Sequence, residues 1–214
     1  MRIFVVLLCL FFSVSGNAQN QILQTTVQQG EIAGEARDGY AFYKAIPYAE
    51  APVGNLRWKA PVAKLPWDGV YKAERYGCRP PQPVDPNQPA ESPVGEDCLY
   101  LSVQTPAKST SDRLPVFVMI HGGAFLTGSY AGTQENFVRD GIVYVSVEYR
   151  LGALGFMSHP ELSKESEQKV SGNYGILDQV MALQWVHDNI AAFGGDPENV
   201  TIAGESAGGI SVSI

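Results

Sequence analysis

The chain has 214 residues, a net formal charge of −7, 45% hydrophobic and 10% aromatic residues. That length and apolar fraction suffice for one globular domain with a sizeable core. The acidic balance, with no basic patch, argues against nucleic acid or an anionic membrane surface as partner.

Met1-Arg2 is followed by an apolar run from Ile3 to Phe12 and then by Ser13-Val14-Ser15-Gly16-Asn17-Ala18. One positive charge, an apolar run too short for a bilayer and small residues at Gly16 and Ala18 predict a secretory signal peptide over 1–18. Cleavage is expected after Ala18, with an uncleaved anchor as the alternative. Residues 19–214 then form the globular body. No second stretch is long and apolar enough to cross a membrane, so an exported protein, secreted or periplasmic, without a stable membrane anchor is expected.

Gln24 to Lys44 reads as short antiparallel strands. Turn signals at Gln29-Gly30 and Asp38-Gly39 separate Thr25-Thr26-Val27 from Tyr40-Ala41-Phe42-Tyr43. Residues 46–58 are dense in proline and aromatics, which predicts an ordered coil packed over a core. Of the three cysteines, Cys9 leaves with the signal. Cys78 and Cys98 enclose a proline-rich polar loop; in an exported protein they form a disulfide or remain as two buried thiols. Neither lies at metal-ligand spacing, and no metal or cofactor is expected.

From residue 99 the pattern changes. Leu99–Val103, Val116–Ile120 and Ile142–Val147 are strands, the last two almost continuously apolar, as in a mostly parallel sheet covered on both faces. Apolar residues at 176, 180, 183, 186 and 190 fall at helical spacing. Asn173 is placed to cap that helix, and Gly194-Gly195 with Pro197 to stop it. Val200–Ala203 is the next strand, and Gly204-Glu205-Ser206-Ala207-Gly208 follows it directly. This is G-x-S-x-G, whose serine sits on a sharp strand-to-helix turn that only small neighbours permit.

A serine hydroxyl needs a base, a group to orient that base and donors for the oxyanion it generates. Donors are available. His121-Gly122-Gly123-Ala124-Phe125 follows a strand, and the amide of Ala207 follows the serine.

Several motifs now agree with one family. Phe193-Gly194-Gly195-Asp196-Pro197-Glu198-Asn199-Val200-Thr201-Ile202-Ala203 leading into the serine motif, Glu96-Asp97-Cys98-Leu99-Tyr100-Leu101-Ser102-Val103, Tyr149-Arg150-Leu151-Gly152 and Ser171-Gly172-Asn173-Tyr174-Gly175 resemble the type-B carboxylesterases. These are the α/β-hydrolase branch that includes cholinesterases. The resemblance covers residues 24–214 and corresponds to the amino-terminal part of the family; Gln104 departs from it, standing where an apolar residue is usual. It implies an α/β fold: a mostly parallel central sheet flanked by helices, with a small antiparallel amino-terminal sheet, truncated after the nucleophile turn.

The resemblance further implies Ser206 as the acyl-forming nucleophile and the amides of Gly123, Ala124 and Ala207 as the oxyanion hole. Glu205, next to the serine, is read either as electrostatic support for the site or as a structural carboxylate. The resemblance also implies a Cys78–Cys98 disulfide and structural ion pairs Arg57 with Glu96 and Arg150 with Asp178. The family's acid and histidine come after the serine, yet the eight residues beyond Ser206 contain neither. His121, His159 and His187 each have another expected role, so the chain is read as a fragment or truncated product of a serine carboxylic ester hydrolase, inactive alone. A non-catalytic cholinesterase-like binding or adhesion protein is the alternative. The expected ligand is a small uncharged ester. A choline ester is not expected, because Trp58, Trp67 and Trp185 all lie outside the cysteine loop, where cholinesterases carry an aromatic for quaternary ammonium.

Overall fold

The computed structural model describes residues 21–83 and 92–214; the expected signal peptide lies outside the described residues. Two sheets form the scaffold. The smaller joins β1 (Gln24–Val27), β2 (Gly30–Ala33) and β5 (Val70–Lys72), with β1 antiparallel and β5 parallel to β2. The larger contains β3 (Glu35–Ala36), β4 (Ala41–Pro47), β6 (Tyr100–Thr105), β7 (Leu114–Ile120), β8 (Val143–Val147) and β9 (Gly195–Gly204). Its order is β3-β4-β6-β8-β7-β9.

The α/β architecture matches expectation, with a correction to the sheet. It is mixed: β8, β7 and β9 are parallel, whereas β3, β4 and β6 enter antiparallel. Only β1 and β2 of the amino-terminal strands lie in the separate small sheet, where β5 joins them.

Alternation along the strands sorts side chains onto two faces. Val116 and Val118 of β7, Val143, Val145 and Val147 of β8, and Ala41 and Tyr43 of β4 share one buried cluster with Trp185, Val186 and Ile190. Phe117, Met119, Tyr144 and Phe42 face the other way and meet Val138 and Phe137. The helices follow from that division. α1 (Glu135–Arg139), between β7 and β8, covers the second face, and α4 (Tyr174–Asn189), between β8 and β9, covers the first. Each fully buried Val, Ile or Leu contributes roughly 1.5–3 kcal/mol of transfer free energy. α2 (Gly152–Phe156) and α3 (Pro160–Glu165) fill the link to α4, and α5 (Ala207–Val212) leaves β9.

Three expectations are corrected. The buried face of α4 carries Tyr174, Asp178, Ala182, Trp185, Val186 and Asn189, whereas Val180 is 57% exposed. The inward face is offset from the apolar spacing, because the helix buries Asp178 against Arg150 instead of turning every aliphatic residue inward. Asn173 occupies the cap position in a left-handed conformation, φ 55°, and its side chain makes no capping bond. Cys78 and Cys98 are free thiols. Cys98 is wholly buried among the aliphatic residues of the first cluster, and Cys78 is half-buried outside it, its sulfur packed over Gly95.

Gln104 has a structural explanation. It is wholly buried in β6, its carbonyl accepts from the Gln134 amide at 3.2 Å and its amide donates to Gly132 O at 3.4 Å. Ser146 Oγ donates to Tyr130 O at 2.8 Å beside it. Polar residues inside two strands thus hold the 130–134 segment to the sheet. Gln104→Leu is expected to lower stability by about 1 kcal/mol in urea unfolding, the loss typical of such bonds.

Candidate active site

The register of the parallel strands assembles the site. Ile120 of β7 pairs with Gly204 of β9 on one side and Val147 of β8 on the other. Residues 121–125, 205–206 and 148–150 therefore emerge side by side at the carboxyl ends of three strands. The two crossovers from β7 to β8 and from β8 to β9 run in opposite directions on opposite faces, which leaves a crevice at this edge.

Ser206 sits between β9 and α5 with φ 53° and ψ −117°, a conformation costing a non-glycine residue about 1–3 kcal/mol. Close packing enforces it. A Cβ on Gly204 would lie 2.1 Å from Gly208 C, and one on Gly208 would lie 2.0 Å from Ile120 O. Both glycines are thus required by contact. Ser206 is exposed, while Ala207 is buried at the start of α5.

The turn at 121–125 lies against the serine. A Cβ on Gly122 would be 3.0 Å from Ser206 Cβ and 2.5 Å from Glu205 Oε2. Gly123, Ala124 and Phe125 have φ of 97°, 55° and 61°, a run of left-handed residues that needs outside support. Leu126 N and Thr127 N donate to Gly123 O at 2.9 and 3.0 Å and close the turn. The amides of Gly123, Ala124 and Ala207 have no backbone acceptor among the described residues. The structure thus brings Ser206, Gly123, Ala124, Ala207 and Glu205 together. Beside them, Ala124, Phe125, Leu126, Gly152, Ala153, Phe156 and Met157 line an open, mostly apolar depression of about 420 Å³.

A carboxylate that sequence patterning leaves out lies against this turn. Glu148, wholly buried, directly follows β8 and binds His121 Nε2 at 3.0 Å through Oε1. Its other oxygen accepts from Ser129 Oγ and Tyr130 N, both at 3.2 Å. Burial opposes charge on His121, but the bonds to Glu148 and Gly122 outweigh it and raise the imidazole above its ordinary value. Burial likewise raises the Glu148 carboxyl. The only sequence signal for Glu148 is a carboxylate ending an otherwise apolar strand.

Arg150, two residues on, donates to Asp178 from Nη2 at 2.7 Å, Nε at 2.8 Å and its own backbone N–H at 3.1 Å. Arg57 and Glu96 form a two-bond pair at 2.5 and 2.7 Å and are half-exposed. His159 caps α3, accepting from Glu161 N at 3.2 Å, and His187 is exposed on α4. Among the described residues no group of His, Cys, Asp and Glu is arranged to hold a metal ion, and no helix is long and apolar enough to cross a membrane.

The carboxylesterase family model matches residues 19–214. A para-nitrobenzyl esterase of Bacillus subtilis is 44% identical over 199 residues, covering 88% of this chain and 39% of the relative. Carboxylesterase 1E of Mus musculus is 41% identical over 234 residues, covering 98% of this chain and 40% of the relative. The solved structure of a thermophilic para-nitrobenzyl esterase superposes with a TM-score of 0.79 at 42% identity, over 89% of this chain and 40% of that one. The chain thus spans about two-fifths of the length of the curated relatives it matches. With that family model matching residues 19–214, the chain belongs to the carboxylesterase family.

Proposed function

We propose that this chain supplies the nucleophile and the oxyanion donors of a serine carboxylic ester hydrolase, exported by way of its amino-terminal segment. The observation that supports the reading is the close approach of Gly122 to Ser206, where an added Cβ would lie 3.0 Å from Ser206 Cβ, beside a turn whose Gly123 and Ala124 amides have no backbone acceptor among the described residues. Ser206 Oγ attacks the ester carbonyl, the carbonyl oxygen takes the negative charge, and the amides stabilise it where it develops. Collapse expels the alcohol and leaves an acyl-serine for water to cleave. Glu205, beside Gly122, contributes negative potential that favours a cationic base. The apolar depression next to Ala124 suits an uncharged acyl or alkyl group, and the relatives named para-nitrobenzyl esterase and carboxylesterase point to small esters.

Proton transfer from the serine requires a base with a free lone pair. His121 has both ring nitrogens engaged, His159 caps a helix, and His187 lies on the outer face of α4. Hydrolysis of a chromogenic short-chain ester tests the assignment. In the longest reading frame that contains these residues, Ser206→Ala is expected to reduce kcat by roughly 10⁴- to 10⁶-fold. The 214-residue chain by itself is expected to be no faster than its own Ser206→Ala variant. Turnover unaffected by Ser206→Ala in the long frame would remove the serine from the mechanism.

A further inference from the structure

His121 and Glu148 form a buried pair that the ester chemistry above does not use. Three observations tie it to the oxyanion turn. His121 Nδ1 lies 2.9 Å from Gly122 O, so that nitrogen carries the proton of the bond, since a carbonyl can only accept. The ring stacks on Tyr149 at 4.4 Å and 16°, while the Tyr149 hydroxyl donates to His121 O at 2.8 Å. Gly128 closes over the other side: a Cβ there would be 2.2 Å from His121 Nδ1 and 2.7 Å from Gly122 O.

The consequence is geometric. The Gly122–Gly123 peptide is planar and trans, so its C=O and N–H point in opposite directions. A carbonyl pinned toward the His121 ring fixes the Gly123 N–H on the opposite side of the plane. We propose that the His121–Glu148 pair is a positioning device that sets the plane of the Gly122–Gly123 peptide and so aims the Gly123 amide at the oxyanion. The inference rests on the ester hydrolase reading for its purpose, though the geometry stands without it.

Glu148 has a defined part. Nδ1 already holds one proton, so a second proton must lie between Nε2 and Oε1, on whichever of the two atoms it resides. Either way the pair is neutral overall, which is the form a buried pair tolerates, and Nδ1 keeps its proton. Ser129 and the Tyr130 amide hold the carboxylate in place. The other titratable groups around the ring are Tyr149 beneath it, Tyr130 on the covering loop and Glu205 across Gly122.

The experiment has two arms. Nitrogen-15 NMR of the His121 ring in the unaltered protein should show Nδ1 protonated throughout pH 5–8. In Glu148→Gln, which keeps the shape and an acceptor for Ser129 and Tyr130, the ring should titrate within that range. A bare Nδ1 in the unaltered protein, or the same titration in both, overturns the proposal.

His121→Phe keeps a ring for Tyr149 and removes the donor. Its crystal structure should show the Gly122–Gly123 peptide rotated, and in the longest reading frame that contains these residues fluorophosphonate capture of Ser206 should slow by about 10²- to 10³-fold, the loss of one oxyanion donor. An unrotated peptide with an unchanged capture rate overturns the proposal. Capture that persists in Ser206→Ala, or that is absent from the unaltered long reading frame, counts against the ester reading instead; the peptide plane and the ring titration then decide the positioning role alone.

Discussion

Asp178→Ala is expected to destabilise the protein by about 3–5 kcal/mol, the cost of leaving one partner of a buried ion pair uncompensated. Arg150 and Asp178 have side-chain exposures of 3% and 0%. Burial works against charge on the guanidinium, but its bonds to Asp178 outweigh that and keep Arg150 charged. Remove the carboxylate and the cation stays, with Tyr174 stacked at 5.5 Å as its remaining close partner. Arg150 Nη1 has no hydrogen-bond partner even in the intact protein among the described residues, so there is no alternative acceptor at hand.

A loss of that size is a large share of the roughly 5–15 kcal/mol by which domains are stable. Urea unfolding followed by circular dichroism measures it. The double variant Arg150→Met with Asp178→Leu should lose much less, because apolar replacement of both partners removes the unpaired charge. If the single and double variants fell equally, packing rather than charge would be the cause. The site would feel the single change as well, since Arg150 follows Glu148 and Tyr149 directly and anchors the end of β8.

Gly208→Ala is expected to abolish the geometry of the serine turn. The new methyl would sit 2.0 Å from Ile120 O, 2.8 Å from Ile120 C and 2.9 Å from His121 O. All three atoms are backbone at the end of β7 and the start of the oxyanion turn, so no side chain can swing aside. α5 must lift away from β7 and carry Ser206 and the Ala207 amide with it. Overpacking of this kind costs about 1–3 kcal/mol. A displacement near 1 Å at the reacting group costs about 100-fold in rate.

Gly209→Ala is the control. Its methyl would meet Gly204 O at 3.2 Å, a contact that a few tenths of an ångström relieves, and alanine favours the helix by up to about 1 kcal/mol. Thermal melting and ester hydrolysis in the long reading frame should separate the two, with Gly208→Ala impaired in both and Gly209→Ala close to unaltered. Equal behaviour would mean that α5 does not depend on contact with β7.

Local chemistry explains which parts of the fold are legible in the amino-acid sequence. Strands β7 and β8 announce themselves as apolar runs because both their faces are covered. The serine turn is legible because its glycines are demanded by neighbours within four residues and by one adjacent strand. The hairpin turns at Gln29-Gly30 and Asp38-Gly39 are legible because the strands they join pair locally, although Trp67, Trp185 and Asn189 also bond the first turn and Lys108 the second. α4 is legible as a helix but not in its orientation. Its inward face is chosen by Asp178 meeting Arg150, and no spacing within the helix records that partner.

What the amino-acid sequence determined by itself is therefore local: the nucleophile turn, the glycine turn, the apolar strands and the family to which they belong. What only the tertiary structure decided is which of these meet. Sheet order brings 121–125 beside Ser206 and brings Glu148 beneath both, across a separation of 27 residues from His121. It also mixes antiparallel strands into the main sheet, buries Gln104 as an anchor for a loop, and leaves Cys78 outside the cluster that encloses Cys98. The physical reason is the same in each case. Hydrogen-bond register and burial are set between distant segments, so a carboxylate or an amide acquires its role only from the group that the fold places opposite it.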